Sequence, residues 1–120
     1  KDAVKTMLGF ELRHVGINCA DEAEAERTAQ MFSTVFGWEY KPGNSSVFSG
    51  TAVECMKTPY LGERGHIAVG TNNVDRAMYH LGLHGITFDE STRKTDAKGK
   101  TKAIYLKDSF CGFAVHLVQK

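Results

Sequence analysis

Four residues of this 120-residue chain suit a divalent cation: His14, Glu54, His66 and His116. Imidazole nitrogens and carboxylate oxygens are borderline and hard donors, which zinc takes at roughly 2.0–2.2 Å. The four lie far apart in sequence, so no short motif is involved and folding must assemble them. What singles them out is the small residue two positions away from each: Gly16, Ala52, Ala68 and Ala114. Side chains alternate across a β-strand, so each polar group shares a strand face with its small neighbour. The opposite faces carry the bulky pairs Val15 and Ile17, Val53 and Cys55, Ile67 and Val69, and Val115 and Leu117. Bulky faces read as core. Polar-and-small faces do not fill their own volume and read as the lining of a cavity. A lone strand histidine is ordinarily structural or surface; four donors at matching positions read as one metal site.

The elements that must position these residues form two similar halves. A strand is expected over Glu11–Asn18. A helix follows, with Asp21 and Glu24 as a capping-box start, Ala25, Thr28, Ala29, Phe32, Val35 and Phe36 at helical spacing, and Gly37 as its stop. Short strand pieces come next, at Trp38–Lys41, Val47–Ser49 and Thr51–Lys57, and then a loop through Pro59, Gly62 and Gly65. The second half repeats the order: a strand over His66–Thr71, a helix capped by Asn72-Asn73 and ended by Gly85, and a strand at Ile86–Asp89. A basic loop over Glu90–Lys102 and strands at Ala103–Lys107 and Phe113–Gln119 complete it. His14-Val15-Gly16-Ile17-Asn18 has its counterpart in His66-Ile67-Ala68-Val69-Gly70, and Ala52-Val53-Glu54 in Ala114-Val115-His116. A half of this size cannot bury a core alone, so two β-α-β-β-β modules, about 11–60 and 61–120, should share one curved mixed sheet with helices on its outer face. The fold class is α+β, one domain over 11–120, with residues 1–10 as a lead-in or linker.

Composition narrows the partners. Fifteen Lys plus Arg against fourteen Asp plus Glu leave a formal charge of +1, and no aromatic residues interleave with the lysines of the basic loop. Nucleic acid and anionic membrane surfaces are therefore not expected partners. No apolar run approaches the roughly 18 residues of a membrane span. Three dispersed cysteines, Cys19, Cys55 and Cys111, match neither a disulfide framework nor a cysteine zinc site, and a reducing cytoplasm is the expected location. Arg93, Lys94, Lys98, Lys100 and Lys102 read as a solvated loop, with closure over a phosphate or carboxylate as the functional alternative. His80 and His84 read as solvent-facing or capping residues. Trp38, Tyr40, Tyr60, Tyr105 and Phe113 read as packing elements or as walls for a small organic ligand.

These residues resemble the vicinal oxygen chelate superfamily, which includes glyoxalase I, bleomycin-resistance proteins, methylmalonyl-CoA epimerase and extradiol dioxygenases. The resemblance spans Glu11–Lys120 and rests on His14 in LRHVGIN, Glu54 in TAVECMK, the run Gly65-His66-Ile67-Ala68-Val69, and Gly112-Phe113-Ala114-Val115-His116-Leu117. It implies paired β-α-β-β-β modules, a divalent metal (zinc, nickel, manganese or iron) in the cleft between them, and a homodimer. One departure matters: glyoxalase-like members usually carry glutamate at the last ligand position, where this chain has His116. In those enzymes the carboxylate helps move a proton, and a metal-bound neutral imidazole cannot act as that base. Ala3–Phe10 and Gly112–Lys120 further resemble a domain that follows a keto-deoxy-phosphogluconate or keto-hydroxyglutarate aldolase. That likeness implies a fused aldolase in cis and a chain start at Lys1 cut from a longer polypeptide. The leading expectation is thus a metal-dependent lyase or isomerase acting on a small 2-oxo or 2-hydroxy acid. A non-catalytic small-molecule-binding module and a regulatory domain are the alternatives.

Overall fold

The computed structural model describes residues 3–120. The element order is α1 (Ala3–Leu8), β1 (Glu11–Asn18), α2 (Glu22–Phe36), β2 (Tyr40–Pro42), β3 (Ser46–Ser49), β4 (Val53–Met56), β5 (Gly65–Thr71), α3 (Val74–Gly82), β6 (Phe88–Thr95), β7 (Thr101–Phe110) and β8 (Phe113–Gln119). The eight strands form one sheet in the order β2-β3-β4-β1-β5-β8-β7-β6. The outer strands of each module run antiparallel, whereas β1 pairs parallel with β4 and β5 parallel with β8. The modules meet at the centre, where β1 and β5 pair antiparallel. The α+β fold with a mixed sheet is therefore as the repeat implies.

Local chemistry sets the helix ends. The Asp21 side chain accepts from the Glu24 N–H at 2.9 Å, and the Glu24 carboxylate accepts from the Ala20 N–H, a reciprocal cap. Gly37, with φ of 77°, closes α2 in the left-handed conformation that glycine adopts without steric cost. Asn73 caps α3 by accepting from the Arg76 N–H.

Two apolar clusters attach these helices to one face of the sheet. Ala25 and Ala29 of α2 pack on Val47 and Cys55, with Ile17 and Val53 beside them. Leu8, Val74 and Ala77 pack on Ile104 and Leu117, with Val69 alongside. Alanine at the helix contacts lets α2 lie close to the strands. Burial pushes the Cys55 thiol up to about 12, with a smaller contribution from neighbouring Cys19, so Cys55 is a packing residue. All three cysteines are free thiols.

Beyond shifts of a few residues at element ends, among them α3 stopping at Gly82 before the expected Gly85, the structure departs from the sequence reading in two places. Residues 3–8, within the expected lead-in, form α1, whose Leu8 is buried in the second cluster and whose Leu8 carbonyl accepts from Thr71 Oγ1 and the Asn72 N–H. Lys1 and Asp2 lie outside the described residues. The expected loop over Glu90–Lys102 is instead largely a β-ribbon, with β6 reaching Thr95 and β7 starting at Thr101. Asp89, Thr92 and Asp96 side chains satisfy local backbone groups that an irregular ladder leaves open, which is how a polar stretch without alternation holds a strand.

Gly65 sits where the central strands approach most closely. A Cβ there would lie 1.9 Å from the Gly16 carbonyl oxygen and 3.2 Å from the Ile17 Cα, both backbone atoms that cannot rotate aside. Gly65→Ala is expected to destabilise the fold by about 2–3 kcal/mol, read as a lowered urea midpoint; an unchanged midpoint would show that the two modules can part at no cost.

Candidate metal centre

The site grows out of the register of four strands. Across β4, β1, β5 and β8, Glu54 lies opposite Gly16, Gly16 opposite His66, and His66 opposite Ala114. In the next row His14 lies opposite Ala68 and Ala68 opposite His116, with Tyr105 of β7 beyond it. Large and small residues therefore alternate both along each strand and across the sheet. Every donor leans over a small neighbour, and the donors converge. Gly16 is the tightest case: a Cβ there would stand 2.0 Å from His66 Cε1, so the ring occupies space that any other residue would fill.

The geometry is close. His14 Nε2 and His66 Nε2 are 3.3 Å apart, and Glu54 Oε1 lies 3.3 Å from the first and 3.1 Å from the second. One ligand nitrogen from each of His14, His66 and His116 falls within a sphere of mutual distances no larger than 4.8 Å. Ring centroids of the three imidazoles are 5.3–5.8 Å apart. The side chain of His66 is only 4% exposed, and those of Glu54 and His14 are 16% and 19% exposed. All four residues come from a single chain.

Burial by itself would raise the Glu54 carboxyl; hydrogen bonds from His14, His66 and Ser46 overcome it and hold the group well below the usual carboxylate range. Glu54 is therefore an anion in the folded protein. Ser46 Oγ donates to Glu54 Oε2 at 2.7 Å, which turns Oε1 toward the histidines. His116 behaves differently. Burial first, then the nearby His66 and His14, with a smaller contribution from Lys94, lower its imidazole to about 3, so it is neutral. Its Nε2 is buried with no hydrogen-bond partner, and so is His66 Nδ1. Tyr105 stacks flat on His116, with centroids 4.4 Å apart and planes 9° apart, and fixes its orientation. Burial, with the charges of Tyr60 and Glu54, raises the Tyr105 phenol, which stays protonated.

Donors bound to one ion at roughly 2.0–2.1 Å stand about 3.0–3.4 Å from one another, the spacing found among His14, His66 and Glu54. An orphaned imidazole nitrogen aimed at the same place is what a fourth ligand presents before the ion arrives. The donor set fits a divalent cation. The sequence does not mark Ser46 as a site residue, and it marks Tyr105 only as a packing element or a wall for a small ligand. Ser46 falls just before the strand that its neighbours suggest, and its role appears only once β3 pairs with β4. His80 and His84 stack on each other outside this site.

The donors form the floor of a cleft of about 660 Å³ whose walls include Tyr60, Thr92, Lys94, Lys102 and Tyr105. Asn18 secures the loop between the modules along one wall, donating to the Gly62 carbonyl and accepting from the Tyr60 N–H.

No protein-family model matches this sequence, and no curated protein matches it. Solved structures do. A point variant of the Streptomyces coelicolor methylmalonyl-CoA epimerase, in complex with 2-nitronate-propionyl-CoA, superposes with a TM-score of 0.63 at 18% identity, covering 92% of this chain and 94% of that one. The chain has the fold of methylmalonyl-CoA epimerase. An epimerase of this kind in complex with methylmalonyl-CoA gives 0.62 at 18% identity over 91% and 93% of the two chains. The methylmalonyl-CoA epimerase of Mycobacterium tuberculosis gives 0.57 at 14% identity over 94% and 89%. The likeness is one of fold, and it agrees with the α+β architecture of paired modules expected from the repeat.

The His116 environment carries a signed pH dependence. An unfolded histidine titrates near 6.5 and the folded one near 3, so protonation favours the unfolded chain. The stability from burying neutral His116 is complete above about pH 6.5 and is lost as pH falls toward 3. Thermal melts of chelated protein should show Tm dropping through this window, and His116→Gln should flatten the upper part of it, above the range where Glu54 protonates on unfolding. Parallel profiles for the two proteins would overturn the assignment.

Proposed function

We propose that His14, Glu54, His66 and His116 hold one divalent metal ion, and that the chain uses it for isomerase or lyase chemistry on a small 2-oxo or 2-hydroxy acid. The observation that carries this reading is the mutual 3.1–3.3 Å spacing of His14 Nε2, His66 Nε2 and Glu54 Oε1 on the floor of a cleft. When bound, such an ion polarises the vicinal oxygens of an acid and eases removal of a proton from the adjacent carbon.

The chain's own residues set the terms. Glu54, already ionised and held by Ser46, supplies the one negative ligand, and three imidazoles supply the rest. Tyr105 holds the His116 ring in plane and presents a protonated phenol to the cleft, a hydrogen-bond donor and not a base. Tyr60 and Tyr105 meet edge to face, with centroids 5.9 Å apart, and narrow the cleft around a small ligand.

One observation favours a second reading. Among the described residues, Glu54 is the only carboxylate lining the cleft, so the floor offers no second acid to act as base. A module that binds an acid without turning it over fits that inventory. The epimerase-like solved structures give no support to a neighbouring aldolase domain. The fold's other expectation, a homodimer, stays part of the proposal; the donors are complete within one chain, so assembly would serve stability or access. Sedimentation at micromolar concentration should give twice the chain mass, and a single-chain mass would reject the dimer.

Elemental analysis of protein purified without chelator should find close to one divalent metal per chain, and Gly16→Ala, which drives a methyl into the His66 ring, should lose most of it while staying folded. Metal-loaded protein incubated in D2O with 2-oxo acids, 2-hydroxy acids and methylmalonyl-CoA, the last because an epimerase of this fold was solved with it, should exchange a substrate α-proton in NMR spectra. Exchange lost on chelation supports the enzyme; saturable binding without exchange supports the binding module; absence of metal overturns the metal-dependent reading.

A further inference from the structure

The β6–β7 ribbon forms one wall of the cleft, and its ladder contains a break. Lys94 pairs with Ala103, but the next residue, Thr95, pairs with Thr101, so Lys102 is an extra residue with no partner across the ladder. A bulge of this kind turns two successive side chains to one side of the sheet. The surroundings agree. Thr101 and Ile104 are buried on the helix side, where Thr101 Oγ1 donates to Asp75 of α3 and Ile104 joins the apolar cluster. Lys102 and Ala103 both line the cleft. Strict alternation would have sent Lys102 to the helix side with Ile104; the bulge redirects it.

The neighbouring cation is treated in the opposite way. Arg93 points away from the cleft and is held by both oxygens of Glu90 and by Asp75 and Thr101. Lys94, one residue on, faces the cleft beside Thr92. Among the described residues neither Lys94 nor Lys102 has an acidic partner within ion-pair distance, although both stand in a wall over a site whose single carboxylate is already engaged by Ser46 and two histidines. The β6–β7 ribbon thus pairs Arg93, which it turns outward, and leaves Lys94 and Lys102, which it turns into the cleft, without an acid.

We infer that Lys94 and Lys102 form an anion subsite in the cleft wall, so that the acid bound at the donor floor carries a second anionic group, a carboxylate or a phosphate. This rests on the metal reading of the floor and adds to it the class of substrate. The oxygens of one end meet the floor; the charge of the other end meets the lysines. A singly charged acid fills only half of the arrangement.

Three 2-hydroxy acids separate the two halves: lactate, with no distal charge, malate, with a distal carboxylate, and 3-phosphoglycerate, with a distal phosphate. Calorimetric titration of zinc-loaded protein should show malate or 3-phosphoglycerate binding about tenfold more tightly than lactate, an advantage that shrinks with added salt. The pair Lys94→Met and Lys102→Met should remove that advantage and leave lactate within about twofold, whereas Lys94→Arg with Lys102→Arg should retain most of it. Whichever of the two acids binds more tightly identifies the distal group. Equal affinity for all three acids, an advantage that survives the methionine pair, or no saturable binding of either doubly charged acid would overturn the inference. Titrations repeated on chelated protein keep the two readings apart. A distal-anion advantage that persists without metal and falls with the lysines supports the subsite while removing the metal from it; metal-dependent lactate binding with no distal advantage does the reverse.

Discussion

Everything at the candidate site depends on the antiparallel pairing of β1 with β5. That pairing sets Gly16 against His66 and His14 against Ala68, so the two imidazoles reach toward each other over residues with little or no side chain. A strand slip of one position would send His14 to the helix face and bring Val15 into the cleft. Register is strongly enforced because the opposite faces of the same strands are buried under the helices in two apolar clusters. Core packing and donor convergence are thus one constraint seen from two sides of the sheet. Neither module holds the full set: the first brings His14 and Glu54, the second His66 and His116, and the site exists only where they join.

The electrostatics follow from that junction. A carboxylate in a partly buried site costs free energy unless hydrogen bonds replace its water, and Glu54 receives them from Ser46 and the two nearest imidazoles. His116 has no hydrogen bond to that acid, whose charge offsets only part of the effect of burial, and it remains neutral with a buried, unpartnered Nε2. Neutral imidazole with an open lone pair is the form that binds metal, so the same desolvation that costs the protonated state prepares the ligand state. Tyr105 completes the preparation by stacking on the ring, which leaves little rotational entropy to lose.

Much of this was legible in the sequence because a strand's alternation is a property of the chain itself. His14, Glu54, His66 and His116 could be placed on one face, and Val15, Val53, Ile67 and Val115 on the other, without any knowledge of pairing. The helix caps at Asp21 and Asn73 were legible for the same reason, since each acts within four residues. What alternation cannot supply is pairing, and most of the missed features depend on it. Ser46 matters only because β3 lies against β4, and Tyr105 only because β7 lies against β8. The β6–β7 ribbon was read as a loop because Glu90–Lys102 is polar and lacks a two-residue period. Its ladder is held by Thr92 and Asp96 side chains and by the Asp75 contact from α3. α1 was passed over because six residues carry too little pattern to separate a helix from a lead-in, and its stability comes from Leu8 docking in a core that other elements build.

The replacement of a carboxylate by His116 at the last donor position reaches beyond the loss of one base. With glutamate there, a divalent ion would be fully neutralised by its protein ligands; with histidine, only Glu54 would offset it, and positive charge would remain on the cleft floor. The wall adds to that excess, since Lys94 and Lys102 face the same space and, among the described residues, Glu54 is the only acid that lines it. A neutral ligand would leave this field uncompensated, so selection among small molecules falls to charge before shape. Strands β1, β4, β5 and β8 hold the donors where a one-position error would abolish the site, and the β6–β7 ribbon carries the residues that tune what enters. Positions on the ribbon can change without disturbing the register that everything else requires, which makes it the place where relatives with this floor would be expected to differ in the acid they accept.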